Sequence, residues 1–125
     1  MKLAFATDMT GPGNIIPEKF QDAECLVIID DEDENYYKTY LRDDVDNIFF
    51  AKCTAENECE LIICGLIEKE AFEIIADACV TRYYGGGLDM ETDYNKMVDY
   101  RLDCIADFIG GTGCSDDHSS CDCGE

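Results

Sequence analysis

Residues 60–87 read ELIICGLIEKEAFEIIADACVTRYYGGG, and this stretch decides the fold. Glu60 to Cys64 (ELIIC) is a short apolar run of branched residues, the pattern of a strand buried on both faces. Gly65 allows a tight exit, after which Ile67, Ala71, Phe72, Ile75 and Ala78 mark one apolar helical face. Val80 to Tyr84 is the next strand, and Gly85, Gly86 and Gly87 end it. Strand, turn, helix and strand in so short a span predict a βαβ unit, with parallel strands and a right-handed crossover.

Toward the N-terminus, Leu3, Phe5 and Thr7 alternate with small or polar neighbours, which predicts a first strand over Lys2 to Thr7. MTGPGNIIP then makes a loop beyond the end of that strand, where binding groups often sit. Cys25 to Ile29 (CLVII) is a second doubly buried strand; the polar turn Asp30 to Asn35 joins it to a β-prone segment, Tyr36 to Leu41, as a hairpin. DDEDEN lacks the spaced ligands and central glycine of a calcium loop, so it reads as a solvated turn. Val45, Ile48, Phe49 and Cys53 fall at helical spacing, predicting a helix over Asp44 to Ala55 capped by Asp43 or Asp44. Toward the C-terminus, Met90, Tyr94, Met97, Val98, Leu102 and Ile105 predict a helix running to Phe108, stopped by Gly110 and Gly111. The sum is an α/β domain, residues 1–109, with a five-stranded mixed sheet flanked by helices. Residues 110–125 carry no apolar periodicity and read as an acidic, flexible, cysteine-rich tail.

Twenty-nine Asp and Glu against nine Lys and Arg give a formal charge of -20, which opposes binding to nucleic acid or to anionic membrane surfaces. The sequence has neither a membrane-length apolar run nor a signal-peptide pattern, which points to the cytoplasm. Nine cysteines, an odd number, cannot all pair within the chain, so free thiols or thiolate ligands are expected.

Cys114, His118, Cys121 and Cys123 place three thiols and the chain's only histidine in the pattern C-x3-H-x2-C-x-C. Three thiolates and an imidazole suffice for one tetrahedral site and favour zinc or an iron-sulfur centre over calcium or magnesium. Metal would also order the tail. Cys25, Cys64, Cys79 and Cys104 read as small packed hydrophobes, and the C-x5-C spacing of Cys53 and Cys59 is a weak metal signal. Cys64 stands apart because it ends a strand just before Gly65 and a helix start, a place that lowers a thiol pKa and suits an anionic cluster. The triple glycine lacks the lysine and hydroxyl residue of a P-loop and reads as a turn.

Three stretches together resemble the dinitrogenase iron-molybdenum cofactor biosynthesis family: KLAFATD (2–8), EKFQDAECLVIID (18–30) and LIICGLIEKEAFEIIADACVTRYYGGG (61–87). The resemblance spans roughly residues 1–108 and implies a ribonuclease H-like fold. It also implies a non-enzymatic carrier that holds an iron-sulfur or iron-molybdenum-sulfur cluster and works with metallocluster assembly or client proteins. Where the family commonly has His-Phe-Gly before the second strand, this chain has Lys19, Phe20 and Gln21. A lysine is no ordinary metal ligand at neutral pH, so the expected donors shift toward the tail. Two other readings stand beside the carrier: an acidic adaptor whose tail is ordered by zinc, and a thiol redox protein using Cys64 or the tail.

Overall fold

Among the described residues, six strands and three α-helices form around the apolar runs described above. The structure, a computed structural model, describes residues 1–8, 15–42, 48–106 and 108. The strands are β1 (Lys2–Thr7), β2 (Cys25–Asp30), β3 (Asp33–Leu41), β4 (Leu61–Cys64), β5 (Thr81–Tyr84) and β6 (Asp103–Cys104). The helices are α1 (Phe49–Glu56), α2 (Lys69–Asp77) and α3 (Met90–Val98).

Strand order is β3-β2-β1-β4-β5-β6. The parallel pair expected of the βαβ unit is present, with Cys64 opposite Tyr84, and β1 also runs parallel to β4, with Phe5 opposite Ile63. β2 and β3 run antiparallel on one side of β1, and β6 runs antiparallel to β5 on the other. The sheet is therefore mixed.

Side-chain alternation sends Ala4, Ala6, Leu26, Ile28, Ile62 and Cys64 to one face, where they pack with Phe50, Ala51, Ala71 and Ile75 of α1 and α2. Leu3, Phe5, Cys25, Val27, Leu61 and Ile63 fill the other face, against Met90, Tyr94 and Met97 of α3. Small residues, Ala4 and Ala6, lie on the face that carries two helices, while Leu3 and Phe5 fill the space on the α3 side.

Three expectations are corrected, and a fourth falls partly outside the described residues. The sheet has six strands among the described residues, because Leu102 and Ile105, three apart as on a helix, in fact flank a strand and pack on opposite faces. The last helix stops at Val98, not Phe108: Tyr100 takes φ 60°, and the amides of Tyr100 and Arg101 bond back to the carbonyls of Met97 and Lys96. The hairpin turn is shorter than expected, since β3 starts at Asp33 and pairs it with Asp30, leaving only Asp31 and Glu32 between them. The described part of the first helix starts at Phe49 without a side-chain cap; Asp43 and Asp44, named as caps, lie outside the described residues.

Candidate functional site at the sheet edge

β1, β4 and β5 point the same way, so Thr7, Cys64 and Tyr84 end at one edge of the sheet. At β1 and β4 the chain's progress across the sheet changes direction, since β2 and β3 build out one side and β5 and β6 the other. Open α/β sheets bind ligands at such an edge.

Residues 15–20 cross this edge as a strap. Ile16, fully buried, plugs into the α3 face, whereas Phe20, only 3 % exposed, plugs into the α1/α2 face. Between these anchors the chain must pass over the strand ends, and its backbone is laced to the loops on both sides. Phe20 donates to the Leu66 carbonyl (2.7 Å) and Leu66 to that of Glu18 (2.8 Å). Ile16 donates to Leu88 (2.8 Å), and Gly87 donates to Ile16 (2.7 Å). Asp8 ties the base, its amide donating to the Ile15 carbonyl at 2.9 Å while its carboxylate accepts from the Ile15 amide at 3.3 Å.

This lacing explains two glycines. A β-carbon on Gly65 would overlap the backbone of Glu18 and the Pro17 carbonyl, and one on Gly86 would come within 2.9 Å of the Glu18 α-carbon. Gly65, expected to border a cofactor, thus first serves to admit the strap. Between the anchors Glu18 and Lys19 are exposed, flanked by partly exposed Ile15 and Leu66. The crest offers a cation beside a carboxylate, with apolar carbon and, among the described residues, no exposed thiol.

Cys64 lies under this crest, fully buried on the α1/α2 face. The expected lowering of its pKa is reversed: burial drives the thiol well upward, and the nearby Arg82 guanidinium offsets this only in part. α2 begins at Lys69, five residues on, too far along the chain to end on the sulfur. Cys59 is likewise pushed up by burial, to about 11, and Cys25 upward. Cys53 is also buried, but Cys79, expected to be packed, is exposed in a left-handed turn (φ 61°) after α2. Cys104 is half-buried on β6.

Cys114, His118, Cys121 and Cys123 lie outside the described residues. Among the described residues no group of three or more His, Cys, Asp or Glu side chains is placed to hold a metal ion. Phe108 packs edge-on against Phe72 (5.9 Å), with the Lys69 ammonium 5.9 Å above its ring, so the chain is anchored on the first turn of α2 just before the tail. No described helix is long and apolar enough to cross a membrane.

On the α3 side of the edge a cleft of roughly 180 Å³ opens beside Gly85 and Gly86, with Lys96, Arg101 and Asp103 on its walls. Arg101 is already engaged with Asp99 at 3.2 Å, so the cleft is of mixed charge. One residue here escaped the sequence reading. Asp93 is fully buried, and neither carboxyl oxygen finds a donor among the described residues. The signal was its spacing: three residues after Met90 and four before Met97, it falls on α3's apolar stripe.

Solved structures share this architecture. The apo form of the orange protein from Desulfovibrio gigas superposes with a TM-score of 0.72 at 16% identity, covering 85% of this chain and 93% of its own. A Methanocaldococcus jannaschii protein described as a possible dinitrogenase gives 0.63 at 21% identity, covering 86% and 96%. A Thermotoga protein described as a possible NifB gives 0.68 at 18%, covering 81% and 90%. At these identities the likeness establishes the fold. No curated protein sequence matches the chain. The sequence does match the dinitrogenase iron-molybdenum cofactor family over residues 1–99, which include all of β1 to β5, the strap and α3, and the chain belongs to that family.

Proposed function

We propose that this protein is a non-enzymatic carrier for an iron-sulfur or iron-molybdenum-sulfur type cluster during metallocluster assembly. Family membership over residues 1–99 is the observation that carries the reading. The cluster is cargo. At the crest of the strap, Lys19, exposed beside Glu18 and bridged to the exposed Leu66, is the group that suits a compact anion with a sulfide surface.

The described thiols do not fit as ligands at that edge, since Cys64 is buried and neutral. The proposed donors are therefore Cys114, His118, Cys121 and Cys123, with Gly65 and the strap as the bed. Cys114 lies six residues beyond Phe108, a reach of about 20 Å for a fully extended chain. We treat residues 1–109 as a ribonuclease H-like domain and 110–125 as an appendage, in a cytoplasmic protein whose partners are assembly or client proteins.

Anaerobic reconstitution of the full chain with iron, sulfide and molybdate, followed by absorption spectra and metal analysis, tests this. Stoichiometric uptake with charge-transfer bands is expected; no uptake defeats the carrier reading. Zinc bound by the tail without any cluster uptake would favour the zinc-ordered adaptor.

A further inference from the structure

Asp93 sits in the second turn of α3 at a position the helix pattern reserves for an apolar residue. It is fully buried, and both carboxyl oxygens lack a donor among the described residues. The space for it exists because the residue opposite is glycine: a β-carbon on Gly85 would overlap Asp93 Oδ2 and stand 2.6 Å from Ile63 Cγ2. The face that α3 covers is filled by apolar side chains that include Ile16 of the strap, Ile63 of β4, Tyr83 of β5, and Met90 and Tyr94 of α3. Lys96, one turn on, and Asp89, at the helix N-cap, are the charged groups that bear on it. Desolvation outweighs the pull of Lys96 and, with Asp89 adding to it, raises its pKa to about 7.

An ionised carboxylate cannot remain there without a donor. Gly85, against which its Oδ2 packs, also lines the cleft that carries Lys96, Arg101 and Asp103, and this cleft offers it relief. The loop between is the one that holds the strap, through Gly87 to Ile16, Ile16 to Leu88, and the bridge between Ile15 and Asp89. We propose that Asp93 is a pH-sensitive latch: protonated, it keeps the 85–89 loop seated and the strap closed over the sheet edge; ionised, it draws the loop toward the cleft and releases the strap. The latch acts on the strap itself and does not depend on what the edge carries.

Amide hydrogen exchange from pH 5.5 to 8.5, expressed as protection factors to remove the intrinsic pH dependence, tests it on the full-length protein. Protection of the Ile16 and Gly87 amides should fall as the pH rises to about 7, by at most about tenfold per pH unit, and level off above it, while staying well below that of Val27 and Ile62, which exchange only by global opening. Asp93→Asn, which cannot ionise, should abolish the fall. The same fall in the variant, or none in wild type, overturns the proposal. A carbon-13 titration of the Asp93 carboxyl in the unmodified protein gives an answer even if the variant does not fold: its midpoint must coincide with the pH at which the fall in protection at Ile16 and Gly87 levels off, and a mismatch overturns the latch.

Discussion

The backbone of Glu18 occupies the space that a β-carbon on Gly65 would need. The strap and the exit of β4 are thereby in direct backbone contact, reinforced on either side by the bonds from Leu66 to Glu18 and from Phe20 to Leu66. Whatever meets this edge of the sheet meets the strap first.

Gly65→Ala forces that contact apart. Neither partner is the end of a flexible side chain, so the cost should be that of overpacking, about 2 to 3 kcal/mol in urea unfolding. A loss below about 0.5 kcal/mol would mean that the strap moves freely away from β4.

Arg82 is buried on β5 without a carboxylate partner among the described residues. Its guanidinium donates to the carbonyls of Val80 (2.8 Å) and Ile105 (3.3 Å) and stacks 4.6 Å from the centre of the Phe72 ring. Arg82→Met keeps the stem but leaves two carbonyls without this donor, at a cost of about 2 kcal/mol. Exchange of the Ile105 amide, which donates to the Arg82 carbonyl at 2.8 Å, should rise further than that of Ile62. Equal changes at both amides would contradict a local anchoring role.

Thiol reactivity separates the cysteines of the domain. Thiolates are the reactive form, and burial keeps Cys25, Cys59 and Cys64 protonated. In the native protein, alkylation mapped by mass spectrometry should label Cys79 early and Cys104 next, with Cys25, Cys53, Cys59 and Cys64 labelled only in denaturant. Early labelling of Cys64 would restore it as a surface ligand.

Asp93 also leaves a signature in stability. Its carboxyl titrates near its ordinary value of 3.8 when unfolded and at about 7 when folded, so the fold retains a proton that the unfolded chain has lost. Its contribution is therefore fully present below about pH 4, declines as pH rises toward 7 and is constant above. Measured against Asp93→Asn, the wild type should lose up to about 4 kcal/mol across that window, three pH units at about 1.4 kcal/mol each. A stability difference independent of pH would refute the buried, proton-holding carboxyl.

The branched runs LIIC and CLVII led directly to β4 and β2, because strands covered on both faces need continuous apolar sequence. β6 was not legible: two residues carry no period, and Leu102 and Ile105 mimic helical spacing by chance of number. The end of α3 was hidden because its left-handed cap is Tyr100 and not a glycine. At the site, Gly65 and the triple glycine could be found, but their reason could not, since the strap they accommodate is held by bonds between loops distant in sequence. Cys64 was misjudged in its ionisation because the strap that closes over the end of β4, and leaves the thiol fully buried, is not legible in the sequence.

The central claim, that cluster cargo rests on the strap at the sheet edge, is tested most directly by comparing amide NMR spectra of the anaerobically reconstituted and cluster-free protein. With a diamagnetic cluster, shifts should concentrate at Ile15 to Lys19, Gly65, Leu66 and Gly85 to Leu88, and a paramagnetic one should broaden the same amides. Shifts centred on the β2–β3 hairpin, or none among these residues despite full cluster loading, would contradict it.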